Sequence, residues 1–145
     1  MKLSETKQML RGVQEMLSYT DEEMKMFLSD KRNLEFLKRV PDLLGHTFRF
    51  RVVLAHGCAC RHAQGQHIAI NGDGSINHDA CPERTCIYLL QALVPMVFAA
   101  QEFVYSGLEP EKITFRHAGC FDTGVMCGGL GNVAVEMVFD EGEMV

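Results

Sequence analysis

From Cys86 to Ala100 the chain is an apolar run broken only by Gln91 and Pro95. A run of that length must be covered by something other than water. A bilayer span needs about 20 such residues, and Gln101 and Glu102 end this one early. The reading that follows is a buried central helix from about Glu83 to Tyr105. Pro82 falls at its first turn, where a missing N–H costs nothing, and Gly107 ends it. Pro95 inside the helix predicts a kink that frees a backbone carbonyl one turn earlier.

A buried helix needs an apolar partner surface, and the flanking sequence supplies strands. From Thr47 the period becomes two, with Phe48, Phe50, Val52 and Leu54 alternating against Arg49, Arg51 and Val53. His67 to Ile70 reads as a second short strand, closed by the turn Asn71-Gly72-Asp73-Gly74. Ile113 to His117 and Val133 to Phe139 read as the last two. Before Thr47 the spacing is helical. Met9, Leu10, Val13, Met16 and Leu17 form one face, Thr20 and Glu23 form a capping box, and Pro41 is expected to stop a third helix. The expected fold is therefore α+β: a small, mainly antiparallel sheet packed on one long buried helix, with the N-terminal helices as an added layer. At 145 residues this suits a single domain, with a helical segment at 1–41 and a Cys/His-rich core at 47–140.

Charge narrows the partners. A net charge of −5 without any Lys/Arg cluster argues against nucleic acid and against an anionic membrane. The opening Met1-Lys2-Leu3-Ser4-Glu5-Thr6-Lys7 lacks the apolar core of a secretion signal. The expected compartment is the cytoplasm, where 6 cysteines stay reduced and open to metal or redox chemistry. A small-molecule ligand and a homo-oligomer are both compatible with this composition.

The unusual residues concentrate at element boundaries, where a scaffold presents side chains to a common point. They are His56-Gly57-Cys58-Ala59-Cys60-Arg61-His62, Cys81-Pro82-Glu83-Arg84-Thr85-Cys86, Gly119-Cys120-Phe121-Asp122, and Met126-Cys127-Gly128-Gly129-Leu130-Gly131. Thiolate and imidazole are the preferred ligands of zinc, and thiolates also hold iron. In a flat strand, however, His56 and His62 would lie roughly 20 Å apart at about 3.3 Å per residue. Unless the chain turns sharply, with Gly57 supplying part of the turn, only two or three of these residues share a site. Cys86, expected within the first turns of the long helix, would feel the positive end of its dipole, which favours thiolate. The competing reading for any one cysteine is a small core residue. The glycines from Gly119 to Gly131 let backbone approach a ligand closely, yet neither a phosphate loop nor a dinucleotide fingerprint is present. His46, His67, His78 and His117 have no evident partner and read as surface or structurally bonded residues.

Taken in order, these motifs resemble a family of short, uncharacterised, cysteine-rich bacterial and archaeal proteins, many from anaerobes. The resemblance rests on His56-Gly57-Cys58 with His62 and Gly65, on Cys81-Pro82 with Cys86, on Gly119-Cys120-Phe121-Asp122, and on Cys127-Gly128-Gly129 with Gly131. It implies that Cys58, His62, Cys86 with Pro95, and Cys120 with Asp122 form the shared set, and that Cys60 is an extra of this chain.

Three readings follow. In the first, Cys58, His62, Cys86 and Cys120 hold one transition metal, iron or zinc, with Asp122 and Cys127 behind them and His56 and Cys81 as reserve ligands. In the second, a metal-free enzyme uses Cys86 or Cys120 as nucleophile with His62 or Asp122 on a small substrate. In the third, an accessory protein binds a partner through its Met-rich helices.

Overall fold

Alternation in β1 (Thr47–His56) is what starts the sheet: Phe48, Phe50 and Val52 are buried while Thr47 and Arg49 are exposed. β1 pairs antiparallel with β2 (His67–Asn71) from Thr47↔Asn71 to Arg51↔His67. On its other side it pairs antiparallel with β4 (Asn132–Val138), which also pairs with the short β3 (His117–Gly119). The order across the sheet is β2-β1-β4-β3. The computed structural model describes residues 3–139, with side chains from Lys7 onward, so residue 140 of the expected core segment lies outside the described residues.

One face of the sheet is apolar and carries α4 (Ile87–Tyr105). Leu89, Leu93, Val97, Ala100 and Val104 recur at helical spacing and share a single core cluster with Phe50, Val52, Ile68, Val133, Val135 and Met137. Each large side chain buried this way contributes roughly 2 kcal/mol. On the other face, Arg51 Nη2 donates to Glu136 Oε2 at 3.0 Å, across the register pair that the sheet itself sets.

α4 is buried along the face that meets the sheet. Ile87, Tyr88, Val94 and Phe98 lie exposed along its outer side. Its length and composition would suffice to cross a membrane, but its inner residues belong to the core just described. The helix also begins later than expected. Residues 83–85 are irregular and Cys86 is the N-cap.

The chain divides into two compact units, Met1–Lys38 and Arg39–Val145, close to the boundary expected at residue 41. The first holds α1 (Leu3–Leu17), α2 (Asp21–Ser29) and the first part of α3 (Lys31–Leu44). The capping box at α2 is present. Thr20 Oγ1 accepts from the Glu23 amide at 3.2 Å, and Glu23 Oε2 accepts from the Thr20 amide at 2.7 Å. Pro41 does not stop α3, which runs on to Leu44. Proline forfeits one N–H bond, but its carbonyl still accepts from Gly45, and continuing the helix places Leu43 in the core of the second unit.

The strand expected at Ile113–His117 starts only at its last residue. Pro110–Lys112 forms a 3-10 turn, and the Ile113 amide bonds back to the Pro110 carbonyl. The Arg116 guanidinium donates to the carbonyls of Ile113 and Glu111, taking acceptors that a neighbouring strand would otherwise use.

Candidate thiol–histidine site

β1 ends at His56, and the chain then reverses. Gly57 has φ +63°, the Arg61 amide donates to the Cys58 carbonyl at 2.9 Å, and Arg61 adopts φ +61°. The left-handed conformation is easy for glycine and uncommon for arginine. This turn removes the distance problem of an extended segment. Cys58, Cys60 and His62 all line one cavity, whereas His56 stays exposed at the strand end.

Cys86 reaches the same cavity from the start of α4. As N-cap its carbonyl accepts from the amides of Leu89 and Leu90, and its own amide donates to His62 Nε2 at 3.2 Å. Cys120 arrives from the end of β3. Its sulfur accepts from the Val133 amide at 3.3 Å and donates to the Asp122 carbonyl at 3.4 Å. Cys58, His62, Cys86 and Cys120, which the sequence motifs grouped, therefore meet around one space of about 170 Å³. Leu89 and Val133 form its inner wall, and Tyr88 and Leu130 lie at its exposed side.

His62 is the one buried polar side chain among the described residues, at 5% exposure. A neutral imidazole that accepts at Nε2 carries its proton on Nδ1. That nitrogen is buried with no hydrogen-bond partner. Its ring is thus tied to the helix start at one end and unsatisfied at the other.

Cys60, which the resemblance sets apart as an extra of this chain, also faces the cavity. It lines the cavity together with Cys86. The neighbouring Cys86 thiol raises its pKa above the ordinary thiol value; loss of solvent and the nearness of Cys58 push the same way, and Arg84 opposes them. No residue type in Cys58-Ala59-Cys60-Arg61 signals a left-handed turn, so the convergence was not legible from spacing.

Asp122 lines the cavity but spends its carboxylate on the backbone. Oδ1 accepts from Gly124 at 3.1 Å and Leu130 at 3.0 Å, and Oδ2 accepts from Gly131 at 3.0 Å. The amides of Gly131 and Gly124 hold its pKa below the usual carboxylate range, Leu130 adds to this, and burial opposes it. Asp122 therefore organises the glycine loop.

Two reserve positions lie apart from the cavity. Cys81 flanks β2, its sulfur accepting from the Ala69 amide at 3.3 Å and donating to the Ala69 carbonyl at 3.4 Å. Cys127 is exposed in a neighbouring hollow that also includes Tyr88 and Phe121, whose rings stack with centroids 6.2 Å apart. All six cysteines are free thiols.

The donor set suits a thiophilic ion. Several thiols share the space, and the Cys120 sulfur accepts the Val133 amide N–H. Among the described residues, no group of three or more His, Cys, Asp or Glu side chains is drawn in tightly enough to enclose an ion in this arrangement. Comparison of the chain with family models, with curated proteins and with solved structures finds no match.

Proposed function

We propose that the cavity is a thiolate centre for one soft transition metal, zinc or iron. The observation that carries this reading is the convergence of Cys58, Cys86 and Cys120 on one cavity from three separate elements. The motifs behind the family resemblance are also the ones that supply this wall. The fourth donor is Cys60 or His62, and the amide of Cys86 on His62 Nε2 favours Cys60. His62 then serves as an N–H donor toward a sulfur. A bound ion would cross-link the β1–β2 loop, the start of α4 and the glycine loop, and could act as a Lewis acid if a position stays open.

Elemental analysis of protein purified without oxygen tests this. The expected content is about one metal per chain, lost in Cys58→Ser, Cys86→Ser and Cys120→Ser. Retention in His62→Asn with loss in Cys60→Ser identifies the fourth donor. Equal metal in all variants, or none in the parent, refutes the reading.

One observation favours a second reading, metal-free thiol chemistry. Cys60, Cys86 and His62 line one cavity, and the Cys86 amide donates to His62 Nε2. In this reading Cys86 or Cys120 is the nucleophile and His62 the proton carrier, since the Asp122 carboxylate is committed to three amides. Loss of a thiol-dependent reaction in Cys86→Ser, in protein that never held metal, would support it.

A further inference from the structure

The four cavity thiols stand around more room than a single ion fills. A tetrahedral ion draws its sulfurs to about 2.3 Å, so the donors nearly touch one another and enclose no empty space. Here Cys58, Cys60, Cys86 and Cys120 line a cavity of about 170 Å³. An apolar protein cavity of about 150 Å³ takes up a molecule as large as benzene. Among the described residues, no three His, Cys, Asp or Glu side chains close on one point. The thiols therefore surround a space that suits a compact group of several heavy atoms.

The wall narrows what that group is. Four cysteine thiolates are the donor set of a [4Fe–4S] cluster, in which sulfides bridge the irons and each iron takes one cysteine. A cluster ligated this way is an anion, and two features favour negative charge. Cys86 is the N-cap of the 19-residue α4, at the positive end of its dipole. Arg84 lies near enough to Cys60 for its cation to favour a thiolate there. Asp122 opposes them, but its carboxylate is shared among the amides of Gly124, Leu130 and Gly131. The inner wall, Leu89 and Val133, is apolar and buried, which keeps water from bridging sulfides. The Val133 amide also donates to the Cys120 sulfur at 3.3 Å, and hydrogen bonds to sulfur help to set a cluster's potential.

We infer that Cys58, Cys60, Cys86 and Cys120 bind one [4Fe–4S] cluster, one cysteine to each iron. The inference rests on the reading of the cavity as a thiolate centre and deepens its iron form: iron is held as a sulfide-bridged cluster, and the single ion is the zinc form. Cys60 is then a full ligand, and His62, whose Nε2 accepts the Cys86 amide, is not one.

The probe is a synthetic [4Fe–4S] cluster carrying 2-mercaptoethanol thiolates, offered without oxygen to the full chain after reduction and chelation. Loading is a ligand exchange with no net oxidation or reduction. Each iron loses one mercaptoethanol sulfur and gains one cysteine sulfur, and the cysteine proton leaves with the displaced thiolate. After gel filtration, about four irons and four acid-labile sulfides per chain are expected, with the EPR signal of a reduced cluster after dithionite. Cys58→Ala combined with Cys120→Ala should retain none, whereas Cys81→Ser and Cys127→Ser should load like the parent. Zinc uptake by the same chelated parent reports separately on the thiolate centre. One zinc per chain with no cluster retained overturns this inference and leaves the thiolate centre standing. Neither zinc nor cluster removes both. A cluster shared between two chains, read as two irons per chain, or one kept in full by the double variant, also overturns the assignment.

Discussion

Gly57 and Gly131 cross back to back: a Cβ on Gly131 would overlap the backbone of Gly57 and the His56 carbonyl. A Cβ on Gly57 would come within 2.8 Å of the Leu130 carbonyl oxygen, at a backbone φ of +63°. The glycine of His-Gly-Cys thus exists to let the last glycine of the Gly-Gly-Leu-Gly run pass, and the contact brings the β1–β2 loop against the glycine loop. Gly57→Ala and Gly131→Ala are each expected to destabilise the protein by about 2–3 kcal/mol. Gly65→Ala is the control, since its added Cβ meets nothing within 4 Å and carries only the cost of φ +87°. That cost is about 1 kcal/mol. Denaturant midpoints of the three variants check this, and equal losses would contradict it.

Asp122 holds the glycine loop through three amides, and its folded pKa lies below the ordinary value. A carboxylate depressed on folding contributes stability that is fully present above its unfolded value, about 4. That contribution is lost as pH falls through the lower folded value. Protection of the Leu130 and Gly131 amides from hydrogen exchange should therefore hold from neutrality down to about pH 4 and collapse only below it. In Asp122→Asn the protection should be lower by about tenfold at neutral pH. Exchange rates that ignore this substitution would remove Asp122 from its organising role.

Cys81 separates a structural thiol from a site thiol. Its sulfur satisfies the amide of Ala69, a fully buried residue, while the Ala69 carbonyl also receives the Asn77 amide. Serine can accept the same N–H; alanine cannot. Cys81→Ala is expected to cost about 1–2 kcal/mol and Cys81→Ser less. Neither should change the metal content of the cavity. Thermal melts paired with elemental analysis test both halves.

Cys60 and Cys86 line the same cavity and are expected to form a disulfide when the protein meets a low-molecular-weight disulfide. One thiolate attacks oxidised glutathione, releasing one glutathione thiol. The second protein thiolate then displaces the other, giving a protein disulfide and two reduced glutathiones. Mass spectrometry should find the product two hydrogens lighter, with the link between residues 60 and 86. A Cys58–Cys60 link, or a stable glutathione adduct at exposed Cys127 alone, would count against the pairing.

The fold was legible where periodicity and burial agree. The α4 face made by Leu89, Leu93, Val97, Ala100 and Val104 follows from spacing, as do Phe48, Phe50 and Val52 on β1. The departures have local causes. Cys86 rather than Glu83 precedes the helix because its amide is taken by His62, 24 residues earlier in the chain, and no window of local sequence contains that bond. Ile113 looked like a strand residue, but Arg116 holds the carbonyls around it. At the site, the grouping of Cys58, His62, Cys86 and Cys120 was readable from their motifs. The place of Cys60 was not, because it depends on Arg61 in a conformation that arginine rarely adopts. Asp122 drew attention as an acid, although the glycines around it, with amides in need of an acceptor, already pointed to a loop anchor.

The pairing of β1 with β4 slips between Val52 and Leu54, where Val52 opposes Val135 and Leu54 opposes Ala134. Beyond that slip Leu54 is exposed and Ala55 packs against the core. One surplus residue thus inverts which side of the ribbon each later side chain occupies. Inserting one residue directly after Leu54 would leave every chemical group of the site in the chain and still turn the His56–His62 stretch toward the other side of the sheet. For this protein the addressing of the thiols is a matter of counting, and it is fixed several residues before the first of them.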